Sequence, residues 1–261
     1  MDLILLKNKL DAAFLEYNQP EFIQKDPIQI PHQFQKLQDI EIAAFFAAIL
    51  AWGRRDTIIK SATKLMNIFE NNPHDYILNT KYTDFEQKLG HFAHRTIQTP
   101  DILYCFRFLQ QHYQQHESLE TAFLHSPQAD KDTNIEKHLN YFYNQFFSLA
   151  NPTLRSRKHI TCPQNGSSCK RLCMFLRWLV RSDTGGVDLG IWKQIKTNQL
   201  VMPLDVHILN IIKQLKIIAK PSPTWKTAVE LTHFLQQLDK NDAVKYDLAL
   251  FSLDIKPTIF E

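Results

Sequence analysis

The chain has 261 residues, of which 44% are hydrophobic and 22% charged, and its formal net charge is +3. This length and apolar fraction are enough to bury a sizeable core in one large domain or two lobes, while a total of six glycines excludes glycine-rich phosphate loops on any scale. No uninterrupted apolar run approaches the roughly 20 residues that span a bilayer, so no membrane partner is expected.

The chain opens on Leu3-Ile4-Leu5-Leu6 with no cationic leader and no small-residue cleavage site, so it reads as mature, cytoplasmic protein. A first helix is expected over 2–17, and others over 39–52, 55–70, 100–115, 133–149, 168–181, 205–216, 224–238 and 241–253. Shorter helices are expected at 74–79, 83–89, 117–125 and 188–196, and no run alternates as a strand does. The fold class is therefore all-α. Breaks fall at Asn18-Gln19-Pro20, Pro27, Pro31, Ser126-Pro127, Asn151-Pro152, Gly185-Gly186 and Pro221-Ser222-Pro223, and 18–38 and 126–132 read as surface loops.

Charge is unevenly divided along this helical chain. Residues 151–182 carry Arg155, Arg157, Lys158, Lys170, Arg171, Arg177 and Arg181 with no acid, a local +7 that leaves −4 for the remainder. Such a tract suits a polyanion, because each neutralised phosphate releases counterions; a solvated basic face is the plain alternative. Cys105, Cys162, Cys169 and Cys173 lack the paired spacing of a zinc site and read as buried thiols, so no metal and no cofactor is expected.

Two helix starts carry the chemistry. In Ser167-Ser168-Cys169-Lys170-Arg171-Leu172, small polar residues run into an apolar helix, the serines giving an N-cap signal. At about 100° per residue, Lys170, Arg177 and Arg181 share one narrow stripe of that helix. In Pro203-Leu204-Asp205-Val206-His207-Ile208, Asp205 reads as the N-cap of a second amphipathic helix, where backbone amides and the helix dipole favour its anion. An amine nucleophile with an ionised carboxylate is a sufficient kit for cutting a glycosidic bond. Asp183 and Asp188 are competing acids, but each reads as a turn or cap residue.

The second segment resembles the signature of the helix-hairpin-helix DNA glycosylases, in which a proline, an apolar residue and an aspartate precede a histidine two positions on. Lys170 matches the lysine that begins the second hairpin helix in the bifunctional members of that superfamily. The separation of 35 residues between Lys170 and Asp205 is wider than in most members and is most similar to the archaeal 8-oxoguanine glycosylase branch. Glu41-Ile42-Ala43-Ala44-Phe45-Phe46, continuing to Asp56, resembles the early core helix and turn that face the extruded base. The whole chain also resembles a bacterial family of unknown function, the DUF2400 type. That resemblance is carried by Ser168-Cys169-Lys170-Arg171-Leu172, Met174-Phe175-Leu176-Arg177-Trp178, Gly186-Val187-Asp188-Leu189-Gly190-Ile191-Trp192 and Lys245-Tyr246-Asp247-Leu248-Ala249-Leu250-Phe251. One departure stands in the hairpin. Glycosylases place glycines tightly before the lysine, whereas this chain has only Gly166, four residues ahead.

The glycosylase resemblance implies a two-lobed helical fold with a hairpin element and a cleft. Residues 39–181 would form a barrel-like lobe ending in the hairpin and the Lys170 helix, and 1–38 with 182–261 a second lobe carrying Asp205. It implies a base-excision glycosylase with AP-lyase activity, with oxidised guanine as the candidate base, acting on a nucleotide extruded from the duplex. Lys170 would attack the sugar and form a Schiff base, its amine freed by burial and by Arg171 and Arg177, while Asp205 stabilises the oxocarbenium charge. Trp52, beside Arg54 and Arg55, would line the base pocket with Trp178 and Trp192 behind it. Arg155, Arg157, Lys158, His159, Gly166, Ser167, Ser168, Arg171, Arg177, Arg181 and His207 would grip DNA. The implied partner is damaged double-stranded DNA, bound by a monomer without an iron–sulfur cluster, since no cysteine follows Cys173. Two alternatives are a non-catalytic DNA-binding protein that keeps the fold, and a helical scaffold whose basic stripe meets an acidic protein.

Overall fold

The computed structural model describes residues 2–150 and 155–255, so the break expected at Asn151-Pro152 lies outside the described residues. In chain order the elements are α1 (Leu3–Tyr17), α2 (Pro20–Ile23), α3 (Leu37–Ile49), α4 (Arg55–Ile68), α5 (Pro73–Asn79) and α6 (Tyr82–Leu89). A short hairpin follows, β1 (Ala93–His94) and β2 (Ile97–Gln98), then α7 (Thr99–Tyr113) and α8 (Glu136–Phe146). The remainder holds α9 (Lys170–Val180), α10 (Val206–Gln214), α11 (Trp225–Gln236) and α12 (Tyr246–Ile255). The fold is mostly helical, as the periodicity predicts.

The chain divides into two compact units. Ile23–Ala129 and His138–Thr161 form a central unit, and Met1–Phe22, Asp130–Lys137 and Cys162–Glu261 form a terminal unit that holds both ends. Three segments fall differently from the expected lobes: 23–38 belongs with the central unit, 162–181 joins 182–255, and Asp130–Lys137 also joins the terminal unit. The first is held by Ile28 and Ile30, both fully buried, and by the contact of Asp26 with Arg55. The second is held by ion pairs of α9 described below.

The central unit is built around α3, in which every residue from Asp39 to Ile49 is buried. A helix apolar on all sides is enclosed by neighbours, and here α4 and α5 pack on it, with α7 packing on α5 and α6. Of the two buried carboxylates of α3, Glu41 accepts from Tyr113 Oη at 2.9 Å, Ser118 Oγ at 2.5 Å and the Leu119 amide at 3.0 Å. Three donors satisfy a charge that burial alone would make costly, and they pin α3 to the end of α7. Rings fill the remaining space, with Phe123 stacked on Phe142 at 4.1 Å and Phe85 on Phe106 at 4.2 Å.

Three local expectations are corrected. The segment 18–38 is not a plain surface loop: α2 and two 3-10 turns run through it, beginning at Pro20, Pro27 and Pro31, because proline's fixed φ suits the first position of a helical turn. Strands exist, but Ala93–His94 pairs with only Ile97–Gln98 across Arg95-Thr96, too short a run to show alternation. Arg95 takes φ 57°, the left-handed conformation that a two-residue hairpin turn demands. Residues 188–196 form no helix. Their amides turn back to the end of α9 instead: Leu189 and Gly190 donate to the Trp178 carbonyl at 2.7 and 3.3 Å, and Trp192 to Leu179 at 2.8 Å. Those carbonyls have no partner within α9, and the segment supplies one.

In the terminal unit α1 packs along α12, where Tyr246 Oη donates to Asp11 at 2.9 Å and Lys245 lies 3.1 Å from the same carboxylate. Leu172, Phe175, Leu176, Leu179 and Trp178 make α9 the centre of this unit. Cys105, Cys162, Cys169 and Cys173 are free, buried thiols, and burial raises Cys105, Cys162 and Cys173 above the ordinary thiol value. No helix is long and apolar enough to cross a membrane among the described residues.

Candidate active site

The turn before α9 determines where Lys170 stands. Pro163–Asn165 form a 3-10 turn that ends on Gly166 at φ 76°, the left-handed region that glycine enters without steric cost. Among the described residues, then, the element directly before Gly166 is a single 3-10 turn. The N-cap is Cys169 and neither serine: Cys169 takes φ 52° and contributes no side-chain cap, and Ser167 Oγ accepts its amide at 3.1 Å. A non-glycine residue there costs about 1–2 kcal/mol, and it makes Lys170 the first helical residue.

The same turn is tied to the start of α10. Ser168, buried, donates its hydroxyl to the Leu204 carbonyl at 3.3 Å, and Trp225 donates its amide to the Gly166 carbonyl at 3.3 Å. Asp205 is the N-cap of α10, as its position before the apolar run predicts, and Oδ1 accepts the Ile208 amide at 2.9 Å. Its Oδ2 lies 3.3 Å from Lys170 Nζ. The 35-residue gap is therefore closed by two helix starts that meet. Both side chains reach solvent, Lys170 at 34% and Asp205 at 28% exposure, and Val206 and His207 beside them are exposed. An amine and a carboxylate at an open, solvent-reached position can act together on a bound molecule.

The cationic stripe of α9 is real, but only its first member faces out. Arg177 is 4% and Arg181 1% exposed, which removes both from the set expected to grip DNA. Arg177 pairs with Asp188 at 3.2 Å and with Asp247; Arg181 pairs with Asp188 at 3.0 Å, Asp242 at 2.9 Å and Asp183. Burial works to lower the Arg181 guanidinium, and the surrounding aspartates outweigh it and raise the group above its ordinary value. Buried cations require paired anions, since stripping water from an isolated charge is expensive. Asp183 and Asp188 are thus structural partners of the stripe; Asp183 also caps the turn by accepting the Gly185 amide at 2.8 Å.

Asp247, quoted above only within a family-like motif, has a place of its own here. It sits in the first turn of α12, 16% exposed, with Arg177 bonded to Oδ2. Burial pushes its carboxyl up to about 6; Arg177 and Lys170 oppose the rise, and Asp205 and Asp188 add to it. The sequence signal was an acid opening an apolar helix, which by itself marks an ordinary helix start.

Of the remaining residues, some are buried in the core of the terminal unit and others belong to the central unit. Trp178 and Trp192 are core residues of the terminal unit, 0% and 2% exposed, so neither offers a face to a base. Trp178 buries its indole N–H without a hydrogen-bond partner among the described residues, and Trp192 meets Phe175 edge-on at 5.4 Å. Trp52 belongs to the central unit and is 47% exposed, with the Arg95 guanidinium 5.7 Å above its ring. Arg54 is fully solvated beside Asp56, and Arg55 reaches Asp26 at 3.5 Å. Ahead of the turn, His159 is 6% exposed beside Asp101, a correction to the grip on DNA expected of it. Arg155 reaches Gln98, the Thr96 carbonyl and Asp101, while Arg157 donates to Tyr143 Oη at 2.8 Å and lies over Phe147. Lys158 is exposed and Arg171 half-buried, with burial lowering the Arg171 guanidinium. Gly166 is exposed, Ser167 half-buried and Ser168 buried.

No curated protein and no solved structure matches the chain. The family model described as protein of unknown function, DUF2400, matches residues 26–256, a span that includes Lys170, Asp205 and Asp247. The chain belongs to the DUF2400 family.

Proposed function

We propose that the protein is a DNA base-excision glycosylase with AP-lyase activity, in which Lys170 is the nucleophile and Asp205 its ionised partner. The observation that carries this reading is the 3.3 Å approach of Lys170 Nζ to Asp205 Oδ2 at two solvent-reached helix starts. It is supported by the resemblance of Pro203–Ile208 and Lys170 to helix-hairpin-helix glycosylases, the fold class those enzymes share. The Lys170 nitrogen bonds to the sugar's anomeric carbon as the bond from that carbon to the base breaks. The base leaves with the electron pair and takes its proton from water. Opening of the sugar ring gives an imine, and loss of a proton from the adjacent carbon expels the 3′ phosphate oxygen and cuts the strand. Asp205 stabilises the positive charge that develops on the sugar.

The substrate is damaged duplex DNA, the base is extruded for attack, and oxidised guanine is the first lesion to test. Borohydride trapping on a panel of lesion-bearing duplexes is the experiment. A covalent adduct that forms with the wild type and disappears in Lys170→Gln is the expected result. Absence of an adduct across the panel sinks the lyase claim, and salt-sensitive binding without base release points to a non-catalytic DNA-binding protein.

A further inference from the structure

A further carboxylate comes from α12, which packs against α10. Three separate elements contribute here: Lys170 opens α9, Asp205, 3.3 Å from it, caps α10, and Asp247 lies in the first turn of α12. Arg177, two turns along α9 from Lys170, fixes the Asp247 carboxylate by a direct bond to Oδ2. Asp247 lies close enough for its charge to act on Lys170 and Asp205, and on the buried thiol of Cys173 between Lys170 and Arg177.

The charges around it do not balance. Among the described residues, Asp183, Asp188, Asp205, Asp242 and Asp247 pair with Lys170, Arg177 and Arg181, and Lys245 also acts on Asp242. Arg181 is shared among Asp183, Asp188 and Asp242, and Arg177 between Asp188 and Asp247. On the α1 side, Asp11 is engaged by Lys245 and Tyr246, the residues just before Asp247. Asp247 is therefore a carboxylate that shares the Arg177 cation with Asp188 and is only 16% exposed.

We infer that Asp247 is a positioning residue of this site: held by Arg177 behind the Lys170–Asp205 pair, it governs how readily the Lys170 amine reacts. Its negative charge favours the ammonium form of a nearby lysine, and its neutral form releases that hold. With burial placing its own titration at about 6, the charge behind the pair changes within the range where enzymes work. This deepens the reading of Lys170 as nucleophile and rests on it for its purpose, though its test needs no DNA.

The experiment is competitive trace acetylation of the full-length protein with acetic anhydride from about pH 5 to 10, the range that brackets carboxyl and amine titration. The Lys170 peptide is quantified by mass spectrometry in wild type, Asp247→Asn and Asp247→Glu, with the exposed Lys60 and Lys240 as internal references. Removing one nearby charge in a partly screened site is expected to speed Lys170 acetylation about three- to tenfold at about pH 8. Asp247→Glu is expected to restore most of the wild-type rate, and neither variant moves the reference lysines. In wild type the Lys170 profile is expected to show a second inflection near the Asp247 titration, which Asp247→Asn abolishes.

A Lys170 profile in folded Asp247→Asn that overlays wild type overturns the inference. So does a general rise in labelling of all lysines, the mark of a merely loosened fold. If Asp247→Asn does not fold, the wild-type profile decides alone, and a single inflection overturns the proposal. A missing borohydride adduct with this labelling pattern intact sinks the glycosylase reading and leaves the role of Asp247 standing.

Discussion

At Asp205 one carboxylate oxygen holds the Ile208 amide while the other faces Lys170, so substitutions there separate a structural contribution from a chemical one. Asparagine caps helices about as well as aspartate, and alanine does not. Asp205→Asn is expected to keep stability near wild type and to lower adduct formation on the order of 100-fold, because the stabilising charge is gone. Asp205→Ala is expected to lose the cap as well, at about 1 kcal/mol in urea unfolding; equal stability losses in the two variants would contradict the capping geometry. Asp247 makes a different prediction. Its folded titration at about 6 lies above that of a carboxyl in the unfolded chain, so the folded state holds this proton more tightly. The stability it contributes is complete below about pH 4 and lost as pH rises through about 6. Asp11, Asp183 and Asp239 are held below their ordinary values and Asp75 at about 2, so they lose their contributions as pH falls, in a window below that of Asp247. Unfolding free energy measured from about pH 4 to 6 should therefore decline less steeply in Asp247→Asn than in wild type. An unchanged slope would show that Asp247 titrates normally.

The helix α9 shows what its sequence could reveal and what it could not. Spacing alone placed Lys170, Arg177 and Arg181 on one stripe, and the apolar positions of the helix are buried as the period demands. Which way the stripe faced was not legible, because the acids that receive it come from 183, 188, 242 and 247, in other elements. The same limit explains Trp178 and Trp192, whose aromatic surface suits either a pocket or a core until the neighbours are known. Asp205 was legible as a cap because a cap is a local device, closed within three residues. The turn before α9 was half legible: Asn165-Gly166 marks it, whereas the left-handed Cys169 carries no sequence signal. The inward stripe carries a consequence for stability. Arg181→Ala leaves Asp183, Asp188 and Asp242 without their shared cation and is expected to cost about 3–5 kcal/mol. The solvated Arg54 in the same test is expected to cost no more than about 0.5 kcal/mol on replacement by alanine. Urea unfolding of the two variants side by side decides it, and comparable losses would mean that the α9 ion pairs contribute little.

On the scale of the whole molecule, the tract read as a single +7 patch is divided between the two compact units after Thr161, and most of it is internally engaged. Arg177 and Arg181 are buried in carboxylates, and Arg155 and Arg157 are bound to neighbours within the central unit. The cations that reach solvent are fewer: in the tract Lys158 is exposed and Lys170 and Arg171 are half-buried, and at the start of α4 Arg54 is exposed and Arg55 half-buried. Net charge and its clustering are visible in a sequence, but the fraction available to a partner depends on which charges the fold has already paired. Each phosphate neutralised adds about −0.9 to the dependence of log affinity on log salt. Seven contacts from the tract would give a slope of about −6, whereas the five cations that reach solvent would give at most about −4.5. Fluorescence anisotropy on lesion-bearing duplex between about 50 and 200 mM salt measures this slope. The expected value lies between about −3 and −4.5, and Lys158→Ala is expected to make it shallower by about one while lowering affinity alike on damaged and undamaged duplex. A slope of about −6 would require the α9 arginines to leave their carboxylates, and a slope near zero would remove DNA backbone as the partner of these cations.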